Sequence, residues 1–339
     1  MPECSSAAGS EPTPIEVLFV LLPYSLALDW AGPAEALRMA NRARTAQGLP
    51  DRFRLRFVGP ESEAISSVGL RLAGIEPLPA VLPNPAWVVL VGQPGDRIHM
   101  DSAAAQVVLQ WLRPLPLAPG VLELMTICAG GVLAAAAGLL AGRQATTHHH
   151  HLQELQASAP TCQVMSNRVF VEAPPVYSSA GVTTGIDLTL HRISATCGPA
   201  LAAQVAQSLV VALRRGPADP ELSPFLCYRN HMHPAMHRVQ DAVSQQPQAN
   251  WTVTRMADVA HTSPRHLARL FLEHAGIAPN DYLRRIRLAA AHTALQSGMS
   301  VTQAAFHAGF ASDTQLRRAW HRYGAGGTPS QSVALLQNH

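Results

Sequence analysis

The sequence predicts a two-domain protein in which an α/β sandwich, built on a mostly parallel sheet, precedes an all-α domain. Three observations support this fold class. Strand-type runs alternate with helix-type stretches through residues 15–213, as in parallel sheets that helices cover on both faces. Beyond a proline-rich, non-periodic segment at 214–235, which we interpret as a linker, only helical patterns remain. A chain of 339 residues is also long enough to bury two separate cores.

The elements of the first domain follow from hydrophobic periodicity. Runs typical of buried or half-buried strands occur at 15–22, 53–59, 87–92 and 121–127. Helical spacing occurs at 33–47, 101–112 and 129–140. The last of these helices consists mainly of Ala, Gly and Leu, so it can approach the sheet closely. We expect this domain to span residues 13–213.

Composition argues against a membrane or secreted protein. The apolar content of 47% is typical of globular chains, and no apolar run is long enough to span a bilayer. The first residues, MPECSSAAGSEPTP, lack the basic start and apolar core of a secretion signal. The 5 cysteines are scattered, which indicates reduced thiols rather than a disulfide framework. We expect a cytoplasmic protein with no membrane partner.

Positive charge is concentrated in the second half of the chain. The sequence contains no lysine, and from residue 229 onward 11 Arg stand against 5 acidic residues, a net of +6. Residues 1–228 carry 14 Arg against 17 acidic residues, a net of −3. This asymmetry predicts that the C-terminal domain binds a polyanion and that the N-terminal domain does not.

Residues 253–271, VTRMADVAHTSPRHLARLF, are predicted to form a short helix, a tight turn and a second helix. Ser263 is a suitable N-cap, and Pro264 occupies the first helical position. The predicted apolar stripe of the second helix comprises Leu267, Leu270 and Phe271. Its outward face comprises Arg265, His266, Ala268 and Arg269.

Residues 301–320, VTQAAFHAGFASDTQLRRAW, repeat this organisation, with Gly309 at the turn and Ser312 as the cap. Leu316 and Trp320 are predicted to point inward, and the outward residues are Asp313, Thr314, Arg317 and Arg318. One such unit alone is more often an ordinary α-hairpin with a solvated arginine face. Two matched units, joined by a helix at 279–297 in a basic domain, favour a pair of DNA-recognition helices.

The motif SPRHLARLF…GIAPNDYL…RL…A, followed by AGFASDTQLRRAW…YG…TPS, resembles the AraC/XylS family of transcription regulators in order and spacing. The resemblance implies an all-α tandem helix-turn-helix domain, residues 236–335, with one recognition helix in each of two successive major-groove segments of promoter DNA. It assigns to the base-reading or phosphate-contacting face Arg265, Ala268, Arg269, Asp313, Thr314, Arg317 and Arg318. Contacts to phosphates, or exposure to solvent only, are expected of His266, Arg284, Arg285 and Arg287.

The C-terminal domain departs from the family pattern at two places. His261 stands in the first turn, where the family usually has Gly, and His adopts a positive φ only at some cost. Extra glycines in YGAGGTPS, residues 323–330, are expected to loosen the final loop. Neither departure touches the reading face, but both are expected to lower the stability of the domain.

Cys128 follows the last predicted strand and precedes the small-residue helix. A thiol on such a turn lies above the sheet, and the helix N-terminus favours the thiolate, so the position suits a nucleophile. A buried cysteine after a strand is nevertheless more often a small apolar residue. Catalysis would also require a positioned base and donors for an oxyanion.

The segments LPYSLALDWAGPAEAL, ICAGGVLAAAAGLLAGRQATTHHH and SSAGVTTGIDLTL together resemble the ThiJ/PfpI branch of the class I glutamine amidotransferase-like superfamily. This branch is fused to AraC-type domains in regulators of the GlxA type. The resemblance implies a flavodoxin-like sandwich with Cys128 at the nucleophile elbow, Asp29 nearby in the loop after the first strand, and His148 from the TTH segment. In the protease branch a His follows the elbow cysteine, whereas here Ala129 does. We therefore interpret the three residues as a ligand-binding or thiol-sensing pocket and expect no catalytic residue.

Four successive histidines, His148–His151, raise the question of a metal. On a helix only His148 and His151 would share a face, and no further ligand cluster lies nearby in the sequence. We therefore expect no metal and no cofactor, with His148 alone facing the pocket. Asp187 is expected in the first turn of a helix, where its charge favours the helix dipole.

The sequence thus predicts a transcription regulator that binds promoter DNA through its C-terminal domain. The N-terminal domain is expected to sense an unknown small-molecule effector or to mediate dimerisation, and paired half-sites make a homodimer the natural assembly. The alternative is a thiol-dependent amidase or hydrolase that carries a recruiting DNA-binding module. A first domain that serves only as a dimerising scaffold is the third possibility.

Overall fold

A computed structural model describes residues 13–95, 99–211, 215–217, 224–229, 231–323 and 328–329. The chain divides into two compact units, Met1–Glu221 and Leu222–His339. The division falls inside the segment 214–235 that the sequence predicts as a linker. Most of the C-terminal loop with extra glycines lies outside the described residues. No helix in the described part of the chain is both long and apolar enough to cross a membrane.

The first unit is built on a sheet of 7 strands. Its strands in chain order are β1 Ile15–Val20, β2 Phe53–Gly59, β3 Glu63–Ile65, β4 Arg71–Ala73, β5 Glu76–Pro77, β6 Ala86–Leu90, β7 Leu122–Ile127, β8 Gln144–Ala145, β9 Gln163–Val164, β10 Phe170–Ala173 and β11 Val176–Ser179. The order across the main sheet is β10-β11-β7-β6-β1-β2-β5. All neighbours are parallel except β10, which is antiparallel to β11. The pairs β3–β4 and β8–β9 form two small separate sheets.

Helices cover the main sheet in two groups. The helices of this unit are α1 Ala27–Thr45, α2 Ala103–Leu112, α3 Gly130–Ala136, α4 Leu152–Ser158, α5 Thr184–Cys197 and α6 Pro199–Ser208, with a 3₁₀ turn at His149–His151 before α4. Helices α1, α5 and α6 pack against one another, while α3 packs against α2 and α4. From β1 the sheet grows in one direction through β2 and in the other through β6 and β7. Right-handed crossovers that run in opposite directions place their helices on opposite faces. The predicted α/β sandwich is confirmed.

The burial of the central strands explains why they could be predicted from the sequence. Every residue of β1, β6 and β7 is buried, so each reads as a continuous run rather than an alternating one. Glu123 of β7 is a buried charge, and it pairs with Arg192 of α5. The Arg192 guanidinium also lies over the rings of Tyr177, 3.8 Å from the centroid, and Trp87, 4.8 Å from it. This cluster fastens α5 to the sheet.

The second unit is entirely helical in its described part. Its helices are α7 Pro224–Cys227, α8 Pro234–Gln245, α9 Val253–Val259, α10 Pro264–Ala275, α11 Pro279–Gln296, α12 Val301–His307 and α13 Asp313–Tyr323. Two hydrophobic clusters lie along it, and α11 contributes to both. Its first half places Tyr282, Leu283 and Ile286 among the buried residues of α8, α9 and α10. Its second half packs Leu288 and Leu295 against α12 and α13.

Several helix boundaries differ from the sequence expectation. Helix α1 begins at Ala27 rather than near residue 33, so Asp29 lies in its first turn and not in a loop. Helix α3 ends at Ala136 rather than at residue 140, and Gly138 follows with a φ of 83°. The segment predicted as a linker contains α7 and the first residues of α8.

Candidate functional sites

The elbow at Cys128 lies at the carboxyl end of β7, which is the neighbour of β6 in the main sheet. The strand order changes direction between β1 and β6, so the elbow lies one strand away from this point, which is the usual ligand-binding region of open α/β folds. Cys128 directly follows β7 and has a φ of 56°. Gly130 and Gly181 lie at this turn, where neighbouring atoms leave no room for a side chain. A Cβ on Gly181 would lie 2.2 Å from the Cβ of Cys128, and one on Gly130 would lie 2.4 Å from the carbonyl oxygen of Leu90. The elbow is therefore a close approach of several backbone segments.

Asp29 is the acidic partner of the elbow. Its side chain is fully buried, and it accepts hydrogen bonds from the backbone N–H of Gly92 at 3.0 Å and of Val182 at 2.8 Å. It also accepts a hydrogen bond from the Cys128 thiol. Burial raises the pKa of Asp29 to about 6, although the hydrogen bonds from Gly92, Val182 and Cys128 oppose the rise. The carboxyl group therefore changes its protonation state close to neutral pH.

Two residues of this site, Cys128 and Val182, have a backbone in the left-handed region, with φ values of 56° and 54°. Tyr24, in the loop between β1 and α1, has a φ of 64°. This conformation is unusual for any residue other than glycine, and for a β-branched valine it is a genuine outlier. Such strain persists only where the surrounding structure enforces it, and it is common at functional sites.

The two central side chains of the elbow are buried, and the ligand-binding or thiol-sensing pocket that the sequence predicts stays a prediction. Cys128 is 4% exposed and Asp29 is 0% exposed. Apolar side chains that belong to this region, those of Tyr24, Leu28 and Val182, are exposed. A shallow cavity of this unit lies elsewhere and is lined by Glu16, Arg54, Leu55, Arg56, Glu76, Val81, Leu82 and Pro83. A ligand that reaches Asp29 and Cys128 would have to displace part of the covering loops.

The TTH segment reaches the elbow through its second threonine. The Thr147 hydroxyl donates to the carbonyl oxygen of Cys128 at 2.7 Å. His148 precedes the 3₁₀ turn, and its Nδ1 accepts from the backbone N–H of His150 at 3.4 Å. The His148 ring lies 4.2 Å from that of His149 and 5.0 Å from that of His150, measured between centroids. Burial, together with the neighbouring imidazoles, lowers the pKa of His148 to about 4.

The four successive histidines do not lie on an α-helix, as the sequence prediction assumed. His148 stands before a 3₁₀ turn rather than within an α-helix, so the helical spacing of His148 and His151 does not apply. The structure instead groups His148, His149 and His150, whose ring nitrogens offer ligand atoms within 4.8 Å of one another. His151 is buried and hydrogen-bonded to Glu154, with 2.9 Å between its Nδ1 and the carboxylate oxygen.

Asp187 does more than favour a helix dipole. It lies in the first turn of α5, where it pairs with Arg215 from the segment after α6, at 2.6 Å and 2.9 Å. Arg215 also donates to the Thr183 hydroxyl at 3.0 Å. Because Val182 binds Asp29, residues 182–187 connect the elbow directly to the segment that leaves the first unit.

The first candidate recognition helix, α10, has the predicted cap and core. The Ser263 hydroxyl accepts from the backbone N–H of His266 at 3.3 Å, and Pro264 begins the helix. Leu267, Leu270 and Phe271 are buried. Arg265 and Arg269 are exposed, while Ala268 is half-buried between them. Arg269 contacts Nδ1 of His266 at 3.0 Å, which holds the guanidinium along the exposed face.

Helix α13 repeats the arrangement in the second half of the domain. The Ser312 hydroxyl accepts from the backbone N–H of Gln315 at 3.2 Å, and Leu316 and Trp320 are buried. The outward residues Thr314, Arg317 and Arg318 are exposed, and Asp313 is half-buried. Arg317 lies 3.7 Å from the Asp313 carboxylate. The chain therefore presents two capped helices with arginines on their exposed faces.

The arginines predicted to contact phosphate differ in the interactions that they already make within the protein. Arg284 is exposed and donates to Asp281 at 3.0 Å, and Arg285 lies over the ring of Tyr323 at 5.3 Å. Arg287, which the sequence expects to contact phosphate or solvent, is half-buried and engaged within the protein. It donates to the carbonyl oxygens of Pro247 and Ala249, each at 2.8 Å, and burial lowers the pKa of its guanidinium.

Both helix-turn-helix turns contain a residue in the left-handed region. His261 has a φ of 55° in the first turn, as the sequence departure implies, and Gly309 has a φ of 87° in the second. Gly309 also lies against the loop after α8, because a Cβ there would be 2.6 Å from Cα of Gln248. The second turn is therefore part of the contact between the two halves of the domain.

Known proteins share both parts of this architecture. Residues 256–332 match the family described as "Helix-turn-helix domain". The chain is 29% identical over 321 residues to the HTH-type transcriptional regulator CdhR of Pseudomonas aeruginosa, covering 94% of this chain and 91% of that protein. It is 30% identical over 154 residues to the HTH-type transcriptional regulator GlxA of Rhizobium meliloti, covering 45% and 48%.

The fold of the first unit has a counterpart among solved structures. A ThiJ/PfpI family protein from Pseudomonas syringae superimposes with a TM-score of 0.50 at 18% sequence identity, covering 77% of this chain and 97% of that one. The two domains and the regulator relatives define the class: the protein is a DNA-binding transcription regulator. Its C-terminal part matches the helix-turn-helix family, and its first unit has the fold of a ThiJ/PfpI family protein.

Proposed function

We propose that this regulator reads promoter DNA with α10 and α13, one in each of two successive major-groove segments. The observation that carries the proposal is the pair of exposed arginine faces on capped helices that share one long helix, α11. The base-reading residues are Arg265, Ala268, Arg269, Asp313, Thr314, Arg317 and Arg318. Arginine suits guanine O6 and N7, Asp suits cytosine N4, and Ala268 offers a methyl contact.

Two contacts restrain the side chains of Arg269 and Arg317 before DNA binds. His266 holds Arg269 at 3.0 Å, and Asp313 lies 3.7 Å from Arg317. A side chain that is already restrained loses less conformational entropy when it binds. Phosphate contacts then come from His266, Arg284 and Arg285, and they fix the register of the domain on the duplex.

The first unit supplies the regulatory input in this proposal. A small-molecule effector, or modification of the thiol, acts on the Asp29–Cys128 pair, where strain and a carboxyl group that titrates near neutrality coincide. The route outward runs through Val182 and Thr183 to Arg215. The protein is proposed to act in the cytoplasm as a homodimer that recognises paired half-sites.

Footprinting with the full-length protein upstream of neighbouring genes tests the DNA proposal. We expect protection of two adjacent major-groove segments on one side of the duplex and an affinity that falls steeply with salt. Equal binding to promoter and random DNA at physiological salt would contradict it. A screen of metabolites that shift the footprint then tests the sensory role of the first unit.

Residual thiol hydrolysis is the second candidate function, because Cys128 stands at a strained elbow beside a carboxyl group. We expect Cys128→Ser to alter the response of the regulator in cells. Release of product from ester or amide substrates by the wild-type protein, lost in Cys128→Ser, would instead favour the hydrolase. Full regulation by Cys128→Ser without any hydrolysis would remove the thiol from both roles.

A further inference from the structure

We propose that His148, His149 and His150 form a binding site for a divalent transition-metal ion of the zinc, nickel or copper class. Neutral imidazole is a ligand that all three ions accept. Each residue offers one ring nitrogen, and these atoms lie within 4.8 Å of one another. In a tetrahedral site with metal–nitrogen bonds of about 2.1 Å, the nitrogens lie about 3.4 Å apart. Closing the site requires the ring nitrogens to approach one another by up to about 1.4 Å, which the proposal assigns to rotation of the side chains.

The backbone around the three histidines is fixed on both sides. Before them, the Thr146 N–H donates to the Ser178 hydroxyl at 2.9 Å, and Thr147 donates to the Cys128 carbonyl at 2.7 Å. After them, the buried His151 is held by Glu154. The three imidazoles are thus carried by a short anchored turn. A site whose ligands are already grouped loses less entropy on binding metal than a flexible histidine run does.

The site is also accessible and has room for further ligands. His148 and His149 are half-buried, and His150 is exposed, so an ion can enter from solvent. Three protein nitrogens leave at least one coordination position for water or for a donor atom of a small molecule. His151 is not among the three grouped histidines; its ring is buried and its Nδ1 is hydrogen-bonded to Glu154.

This inference rests on the proposed function in one respect, namely that the ion acts as an effector. The residue next to the site, Thr147, is bonded to the carbonyl of Cys128, so movement of the turn on metal binding acts directly on the elbow. A bound metal ion would then act as an effector of the regulator, in addition to any effector that acts on Asp29 and Cys128.

The experiment titrates Zn²⁺ into the untagged, metal-free, full-length protein by calorimetry and records Co²⁺ absorption spectra in parallel. The variant is His148→Gln with His150→Gln, and the matched control is His99→Gln, an exposed single histidine of the same unit. We expect one ion per chain in the wild type and in His99→Gln, and loss of that stoichiometric binding in the double variant. Thermal unfolding confirms that the double variant is folded.

Binding in the double variant that equals the wild type, or no stoichiometric binding in the wild type, would overturn the site. Footprints recorded with and without Zn²⁺ separate this inference from the regulator proposal. An intact footprint without metal binding rejects only the metal site. Metal binding without any specific footprint rejects promoter recognition and leaves the site in place. A footprint that is unchanged by a bound ion rejects the effector role alone.

Discussion

At the residue scale, Val182 holds an unfavourable backbone conformation beside Asp29. Its φ of 54° is costly for a β-branched side chain, and its backbone N–H donates a hydrogen bond to the Asp29 carboxylate. Replacement by glycine removes a strain of about 1–3 kcal/mol at an entropic cost of about 0.5–1 kcal/mol. We therefore expect Val182→Gly to stabilise the first unit by about 1 kcal/mol, measured by denaturant unfolding.

The matched control for this change is Val81→Gly, at an exposed valine without a positive φ. There glycine relieves no strain, so the control should be neutral or slightly destabilising. A gain of equal size in both variants would show that strain at Val182 is not the cause.

Asp29 makes the stability of the first unit depend on pH in an unusual direction. A carboxyl group whose pKa is raised in the folded state favours folding at low pH, and this contribution is lost as pH rises through about 6. Relative to Asp29→Asn, the wild type should lose up to about 3 kcal/mol between pH 4 and pH 7. Unfolding curves at a series of pH values measure this difference.

Asp101→Asn serves as the control, because Asp101 is an exposed residue of the same unit. Its stability difference from the wild type should stay constant over the same pH range. A constant difference for Asp29→Asn as well would mean that the folded protein does not hold this carboxyl group neutral.

At the scale of elements, the proposal assigns base-reading positions to α10 and α13 and a phosphate-contacting position to Arg284 of α11. Arg269→Ala and Arg318→Ala are each expected to cost about 1–3 kcal/mol and to relax preference at single base pairs. Arg284→Ala, at a phosphate candidate, should weaken binding to all sequences and reduce the salt slope by about 1. Binding to a library of operator variants distinguishes the two outcomes. A uniform loss in all three variants would reduce α10 and α13 to phosphate contacts.

Long buried elements were predictable from the sequence, and short or backbone-determined features were not. Strands β1, β6 and β7 are buried at every position and therefore leave continuous apolar runs. Strands β3, β4, β8 and β9 have only two or three residues, too few to show a period. The arginine faces of α10 and α13 follow from helical spacing. The binding of Asp29 by the N–H groups of Gly92 and Val182 leaves no trace in the sequence, because every residue except proline carries that donor.

Gly309 determines how the two halves of the DNA-binding domain meet. Both Gly309 and Gly298 have positive φ values, but only Gly309 lies against other backbone, at Gln248 and Pro247. Gly309→Ala should therefore destabilise the second unit by about 1–3 kcal/mol more than Gly298→Ala, because steric overlap adds to the same backbone cost. Denaturant unfolding of the two variants measures the difference. Equal losses would show that the loop after α8 yields without cost.

At the scale of the whole molecule, the two units have separate cores and are expected to unfold in separate steps. Val182→Gly should shift only the transition of the first unit, and Gly309→Ala only that of the second. Intrinsic fluorescence and calorimetry can resolve these transitions. A single transition that both variants shift equally would mean that the units stabilise each other.

The shared helix α11 has a consequence for the DNA rather than for the protein. Because α11 contributes residues to both cores, we expect its length to set the rotation between the two proposed recognition helices. Each residue of an α-helix advances it by 1.5 Å and turns it by about 100°. One alanine inserted near the middle of α11 would leave the side chains within each hydrophobic cluster unchanged. It is expected to rotate one of the two proposed recognition helices away from its major groove. We therefore expect the length of α11 to determine the base-pair spacing between the two DNA segments that α10 and α13 are proposed to contact.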